Sequence, residues 1–292
     1  MDIRAILMGL AFALMWSSAF TSARMIVLDA PPLTALALRF LLSGVIGVGL
    51  ALALGQSWRL TRAQWKATAI FGLMQNAAYL GLNFIAMQRV EASVAAIIAS
   101  SMPLMVALAG WLVFRDRLRP LAIAGLVAGF GGVLLIMGAR LQGGVDPTGI
   151  ALCLAGAVAL TVATLSVRGA SGAPGNLLMV VGLQMLVGAA ALGLLSVIFE
   201  TWAVTWTPRL IGAFLYTTLV PGLLATWVWF ALVARIGAVK GAAFHFLNPF
   251  FGVAIAALLL GERIGPADLI GVAIIAAGIL AVQLSRAAAP AR

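Results

Sequence analysis

Long apolar runs alternate with short polar breaks along this chain, and that rhythm sets the expected elements. The runs cover residues 5–24, 33–54, 66–88, 92–114, 120–139, 148–168, 175–198, 209–234, 238–260 and 266–285. Each is close to the roughly 20 residues a helix needs to cross a hydrocarbon core. Charge, proline or glycine punctuates the joins. In lipid a helix satisfies its backbone within its own segment, so such runs are read as spanning helices. Connections are short, which makes sequential neighbours antiparallel and leaves no loop large enough for a soluble domain. The first run continues into further spans and lacks a small-residue cleavage site, so it is expected to be a retained helix and not a removed signal peptide. The expected fold class is all-α integral membrane, with ten transmembrane helices.

Composition sharpens this reading. Of 292 residues, 64% are hydrophobic and only 9% charged, whereas a soluble domain carries about a quarter charged residues. A soluble enzyme, a disordered chain and a secreted disulfide scaffold are excluded. The net charge of +10 reads as topology, because the basic residues stand between apolar runs and form no patch for nucleic acid. With the N-terminus inside, 12 basic residues fall on the cytoplasmic side and 5 opposite, with Arg39 inside a span. That asymmetry predicts a multi-pass protein of the bacterial inner membrane with both termini cytoplasmic. The lone cysteine, Cys153, permits no internal disulfide. The sequence offers no metal-ligand cluster and no GxxxxGK[ST] phosphate loop. No cofactor, metal, catalytic residue or obligatory protein partner is expected. The lipid bilayer and a small-molecule substrate are the expected partners.

A shift of 146 residues aligns the two halves. Arg89 meets Arg235, Pro103 meets Pro249, Asp116 meets Glu262 and Arg117 meets Arg263. Further on, Pro120 meets Pro266, Gly125 meets Gly271 and Gly132 meets Gly278. The chain divides into residues 1–141 and 142–292, five helices each. Five is odd, so the second repeat enters the membrane inverted. Inverted repeats around a midplane site are a transporter architecture. Pro103 and Pro249 fall near the middle of spans four and nine, where proline frees a backbone carbonyl. Freed carbonyls in lipid need protein or a wet cavity, so the two kinks point to a central site or, on the plainer reading, to packing.

The first repeat reads MWSSAF at residues 15–20, LRF at 38–40 and EASVAAIIASSMPLMVALAGWLVFRDRLRP from 91 to 120. The second ends FLNPFFGVAIAALLLGERIGPADLIGVAIIAAGIL from 246 to 280. This pattern resembles the EamA-type transporters of the drug/metabolite transporter superfamily, and within them the YddG-like exporters of aromatic and other neutral amino acids. The resemblance covers nearly the whole chain. It implies ten helices in two inverted repeats around a central cavity, and a bacterial inner-membrane exporter of small metabolites. RDR at 115–117 stands where the family commonly has GER.

Polar groups inside spans are few, and each is weighed against a structural role. Trp16, Ser17 and Ser18 in span one suit a substrate wall and hydrogen bonds, or helix packing. Gln75, Tyr79 and Asn83, spaced i, i+4, i+8, are expected to share a face of span three. A lipid-facing polar stripe would be costly, so that face should line a cavity or bond between helices. Ser100 and Met102 precede Pro103; Phe244, His245 and Asn248 precede Pro249. These neutral groups suit a zwitterionic amino acid, with an apolar subsite from Trp16, Phe244 and either Trp227 or Trp229. His245 titrates near neutral pH and is the candidate for proton coupling, or else a neutral hydrogen-bonding group. Arg39 must pair or snorkel, with Glu91 the expected partner, in an outer-gate or structural role. Asp116 and Glu262 are expected to stabilise helix starts.

The expected function is a secondary transporter of small neutral or aromatic amino acids, working by alternating access. Its competitors are an exporter of cationic drugs or other metabolites, a passive channel and an intramembrane enzyme.

Overall fold

The structure is a computed structural model and describes residues 2–166 and 176–287. Ten helices among the described residues are long and apolar enough to cross a membrane. They are α1 (Ile3–Asp29), α2 (Pro32–Ala53), α3 (Arg62–Ala86), α4 (Ala92–Phe114), α5 (Pro120–Gln142), α6 (Pro147–Ser166), α7 (Leu177–Phe199), α8 (Pro208–Ile236), α9 (Lys240–Leu260) and α10 (Pro266–Ser285). Residues 167–168 and 175 of the expected sixth and seventh spans lie outside the described residues. So do Arg168 and Arg292 of the charge count.

The local signals explain the boundaries. Pro32, Pro120, Pro147, Pro208 and Pro266 each open a helix, where the missing N–H costs nothing and the fixed φ is already helical. Asp2 caps α1 by accepting from the Ala5 N–H, and Thr207 caps α8 by accepting from that of Leu210. Helix α1 runs past the expected limit to Asp29, because Arg24 does not end it. The Arg24 guanidinium donates instead to the Met87 carbonyl.

The repeat is visible as geometry. The most extensive packing joins α5 to α10 and α2 to α7, and each pair consists of repeat-equivalent helices. A Cβ added to Gly125 would lie 2.7 Å from the Gly278 carbonyl oxygen, and one on Gly132 would lie 2.9 Å from that of Gly271. These four glycines are the aligned ones, crossed between the halves. Their absent side chains let the two backbones touch.

Irregular backbone also recurs at the repeat interval. Helix α3 widens into a π-helical segment at Gly72–Tyr79, and α8 does so at Thr218–Leu224. Helix α4 breaks between Ala92–Ser100 and Met102–Phe114. Helix α9 passes through a 3-10 turn, Phe244–Leu247, before Asn248–Leu260. Pro103 and Pro249 each occupy the first turn of the second segment. The breaks therefore precede the prolines and leave them unstrained.

Two ion pairs tie the repeats together on opposite faces. Arg235 at the end of α8 holds Asp2 before α1, on the face where α1 begins, here the terminal face. Its repeat equivalent Arg89, after α3, holds Asp146 before α6 at 3.1 Å on the other, distal face. Each pair joins the third helix of one repeat to the first helix of the other.

Candidate substrate site

Helices α1, α8 and α9 enclose an aromatic cluster built around Phe12. Its ring centroid is 5.6 Å from that of Trp16, 4.9 Å from that of Trp229 and 5.3 Å from that of His245. Trp229 meets His245 edge-on at 5.3 Å with an interplanar angle of 87°. Such tilted and T-shaped contacts add to the burial of the rings. The break in α9 sets this geometry, because its 3-10 turn aims Phe244 and His245 back at α1. Phe244 fills the space left by Gly9, whose added Cβ would overlap the ring.

Hydrogen-bonding groups border the rings. The His245 Nδ1 lies 3.1 Å from the Ala242 carbonyl. A carbonyl only accepts, so Nδ1 carries the proton, and the ring in its neutral form presents Nε2 as an acceptor. Ser17 Oγ donates to the Asn248 carbonyl at 3.3 Å. Ser18 Oγ donates to the Met15 carbonyl at 2.7 Å and lies 2.8 Å from the Tyr216 hydroxyl. With its one proton committed, Ser18 accepts from Tyr216. Asn248 Oδ1 is buried without a partner among the described residues. The structure thus brings together Trp16, Ser17, Ser18, Phe244, His245 and Asn248.

Phe12, Trp229 and Tyr216 complete this corner. Phe12 looked like one more apolar residue of span one. Tyr216 gave no signal except being one of two tyrosines in the chain. Trp229 turns inward, whereas Trp227 is 67% exposed on the outer surface of the bundle.

The remaining candidates lie in the repeat-equivalent corner formed by α3, α4 and α6. Tyr79 and Asn83 are buried against α6, where Gly156 makes room for both; an added Cβ would lie 2.5 Å from Asn83 Nδ2. Asn83 donates to the Tyr79 carbonyl at 2.8 Å and leaves its Oδ1 unpartnered. The π-helical segment alters the turn before Tyr79. On it, Asn76 turns to α7 and donates to the Gln184 carbonyl at 2.9 Å. Gln75 and Met102 are half-buried. Ser100 Oγ donates to the Ala96 carbonyl at 2.6 Å, four residues back along its own helix.

One expected pairing is corrected. Glu91 pairs with Arg140 and not with Arg39. Arg140 has the geometric advantage, since it ends α5 on the face where Glu91 begins α4. It grips Asp268 with Nε and Nη2, each at 3.1 Å. Beside it, Glu262 accepts from the first N–H groups of α4, Ala92 at 2.7 Å and Ser93 at 2.9 Å. Glu262 therefore stabilises a helix start, as expected, but that of the other repeat. This network closes the distal end of α4, α5, α9 and α10. On the same face a cavity of about 500 Å³ opens between the α1–α2 turn and the α7–α8 connection, lined by Asp29, Pro31, Glu200 and Thr205 among others. Arg39 is 8% exposed, with its guanidinium 5.2 Å from the Phe40 ring centroid.

Ten apolar helices in two inverted five-helix repeats, with discontinuous helices facing inward, define a polytopic membrane transporter. The chain belongs to the EamA-like transporter family, whose description matches residues 3–138 and again 147–284. It is 26% identical over 276 residues to the uncharacterized transporter YvbV of Bacillus subtilis, covering 94% of this chain and 90% of that protein. It is 25% identical to the protein PecM of Dickeya dadantii, covering 90% and 86%. The aromatic amino acid exporter YddG of Ancylobacter novellus is 29% identical over 139 residues, 48% of each chain. A solved crystal structure shares the fold with a TM-score of 0.70 and 23% identity, covering 97% of this chain and 98% of that one.

Proposed function

We propose that this transporter exports small neutral or aromatic amino acids across the bacterial inner membrane, with both termini cytoplasmic. The observation that carries the reading is the α1–α8–α9 corner. Its aromatic rings adjoin neutral hydrogen-bonding groups, among them the unpartnered Asn248 Oδ1. An aromatic side chain stacks on Trp16 and Trp229, whose rings are held by the buried Phe12, and Asn248 and Ser18 address the ammonium group. The partial likeness to an aromatic amino acid exporter supports the same substrate class.

Transport works by alternating access, the two repeats rocking about the α2–α7 and α5–α10 contacts. All eight acidic residues stand at or beyond helix ends, so no mid-span carboxylate relays protons. His245 is the group through which a proton gradient would couple, because protonating Nε2 changes its charge beside Trp229.

Uptake into proteoliposomes tests the reading with labelled tryptophan, phenylalanine, methionine, threonine, lysine, glutamate and a quaternary-amine dye. Saturable uptake of the neutral amino acids, reduced at least tenfold by Asn248→Ala with Trp229→Ala, is the expected result. Movement of the dye alone would replace the amino-acid reading with a cation exporter binding through the rings. Single-channel conductance would replace the carrier with a channel.

A further inference from the structure

Arg39 is a buried cation without a counterion among the described residues. It lies seven residues into α2, about 10 Å below the distal end at helical rise. It is 8% exposed, and its Nε is buried with no hydrogen-bond partner. No ion pair among the described residues includes it. The Phe40 ring, 5.2 Å from the guanidinium, supplies no counterion, and an uncompensated charge inside a membrane is costly.

Two further features converge on the same point. Ser43, one turn along α2, is 1% exposed, and its Oγ is also unpartnered. Both side chains face Gly222 in the π-helical segment of α8. A Cβ added there would lie 3.5 Å from Arg39 Nη2 and 3.8 Å from Ser43 Oγ. Pro221, next to it, has no N–H to offer the backbone.

The other repeat provides an internal comparison. Asn76 occupies the position equivalent to Gly222, 146 residues earlier, on the equivalent π-helical segment. Its side chain packs against Gly188 of α7 and donates to the Gln184 carbonyl. The α7 residues equivalent to Arg39 and Ser43 are Met185 and Ala189. One repeat thus fills this space with an asparagine against apolar neighbours. The other leaves a glycine opposite an unpartnered arginine and serine.

We propose that Arg39, with Ser43 and the opened turn of α8 at Gly222, binds the carboxylate of the transported substrate. The planar guanidinium matches a carboxylate with paired N–H donors, and Ser43 donates a third bond. This rests on the amino-acid reading above and supplies the fixed charge that the ring-lined corner lacks. The carboxylate sits at α2–α8, and the ammonium and side chain reach toward Ser18, Tyr216 and the rings along α1 and α8.

Equilibrium binding to purified protein in nanodiscs separates the outcomes, using phenylalanine, phenylalaninamide and 3-phenylpropionate. The native protein should prefer both acids over the amide by at least tenfold. Arg39→Gln should erase that preference without changing amide affinity, and Arg39→Lys should restore part of it. If Arg39→Gln does not fold, Gly222→Asn, which copies the Asn76 arrangement, should weaken the acids in the same way. Phenylalanine binding untouched by these variants would overturn the carboxylate site and leave the amino-acid function standing. Arg39-dependent binding of 3-phenylpropionate alone would uphold the site and overturn the amino-acid reading. Binding of none of the three would overturn both.

Discussion

Arg115 and Gly261 end the fourth helix of their repeats in the same left-handed backbone conformation, with φ of 55° and 69°. They stand 146 residues apart, at the first position of RDR and of GER. Arg115 is the one non-glycine residue at positive φ among the described residues. The turn itself demands this conformation, because a backbone N–H at each site returns to a helix carbonyl, that of Gly110 or Ala257. A left-handed residue with a Cβ carries a penalty of about 1–2 kcal/mol, partly offset by glycine's larger unfolded-state entropy. Arg115→Gly should therefore stabilise the protein by roughly 0.5–1 kcal/mol. A rise in thermal midpoint in detergent checks it, with Gly261→Arg expected to move the midpoint the other way.

The glycine contacts between α5 and α10 predict opposite effects for one substitution at two sites. A Cβ on Gly278 would lie 2.6 Å from the Gly125 carbonyl oxygen and 2.8 Å from Gly129 Cα. Backbone cannot yield as a side chain does, so Gly278→Ala should cost about 1–3 kcal/mol. Gly131 of α5 has nothing within 4 Å of an added Cβ. Gly131→Ala should gain about 0.5–1 kcal/mol from helix propensity. Thermal unfolding of the two variants side by side tests the pair, and equal shifts would contradict the packing.

The latch at the terminal face fixes an acid dependence. Hydrogen bonds from Arg235, and then from the Ala5 N–H, hold the Asp2 carboxyl down to about 2 from its usual 3.8. A carboxyl lowered on folding contributes stability above its unfolded value and loses it as pH falls through the folded one. The contribution is therefore complete above about pH 4 and fades between there and pH 2. The pair is exposed, so the effect is small and salt-sensitive. Asp146 on the distal face is lowered in the same direction, first by the Thr148 N–H and next by Arg89. The double variant Asp2→Asn, Asp146→Asn should flatten the acid limb of the midpoint-against-pH curve and leave its shape unchanged from pH 5 to 8.

The helices, their number and the repeat were legible in the sequence because they rest on local chemistry. Pro120 and Pro266 mark helix starts wherever they occur after a polar turn, and the aligned glycines marked the repeat, though not the α5–α10 contact they form. Side-chain direction was harder to read. Trp227 and Trp229 are two residues apart and so fall on opposite faces of any helix, and the packing of α8 against α1 decides that Trp229 is the one turned onto Phe12. The π-helical segment in α3 separates Asn76, facing α7, from Asn83, facing α6. Long-range pairing was least legible. Glu91 was expected to pair with Arg39, and the meeting of α4 and α5 ends on the distal face gives it Arg140 instead.

The Arg140 network predicts how the distal side opens. The Asp268 side chain is 6% exposed, and its other bond holds the Gly265 N–H at 2.8 Å. Removing Arg140 leaves that carboxylate buried without a counterion, a defect worth about 3–5 kcal/mol when nothing relaxes. Hydration relieves it, and hydration requires α5 and α10 to part from α4 on the distal face. Arg140→Gln should therefore shift the population toward a distal-open state. Ser93, 1% exposed and part of this network, its Oγ 3.4 Å from Arg140 Nη2, is a suitable reporter. In a Cys153→Ser background, a cysteine replacing Ser93 should react with a membrane-impermeant maleimide at least fivefold faster when Arg140 is glutamine. Adding Asp268→Asn removes the stranded charge and should return the rate most of the way to that of the parent, since the two residues act as a pair. An unchanged rate in the Arg140 variant would mean that the network stabilises the helix ends without closing the distal side.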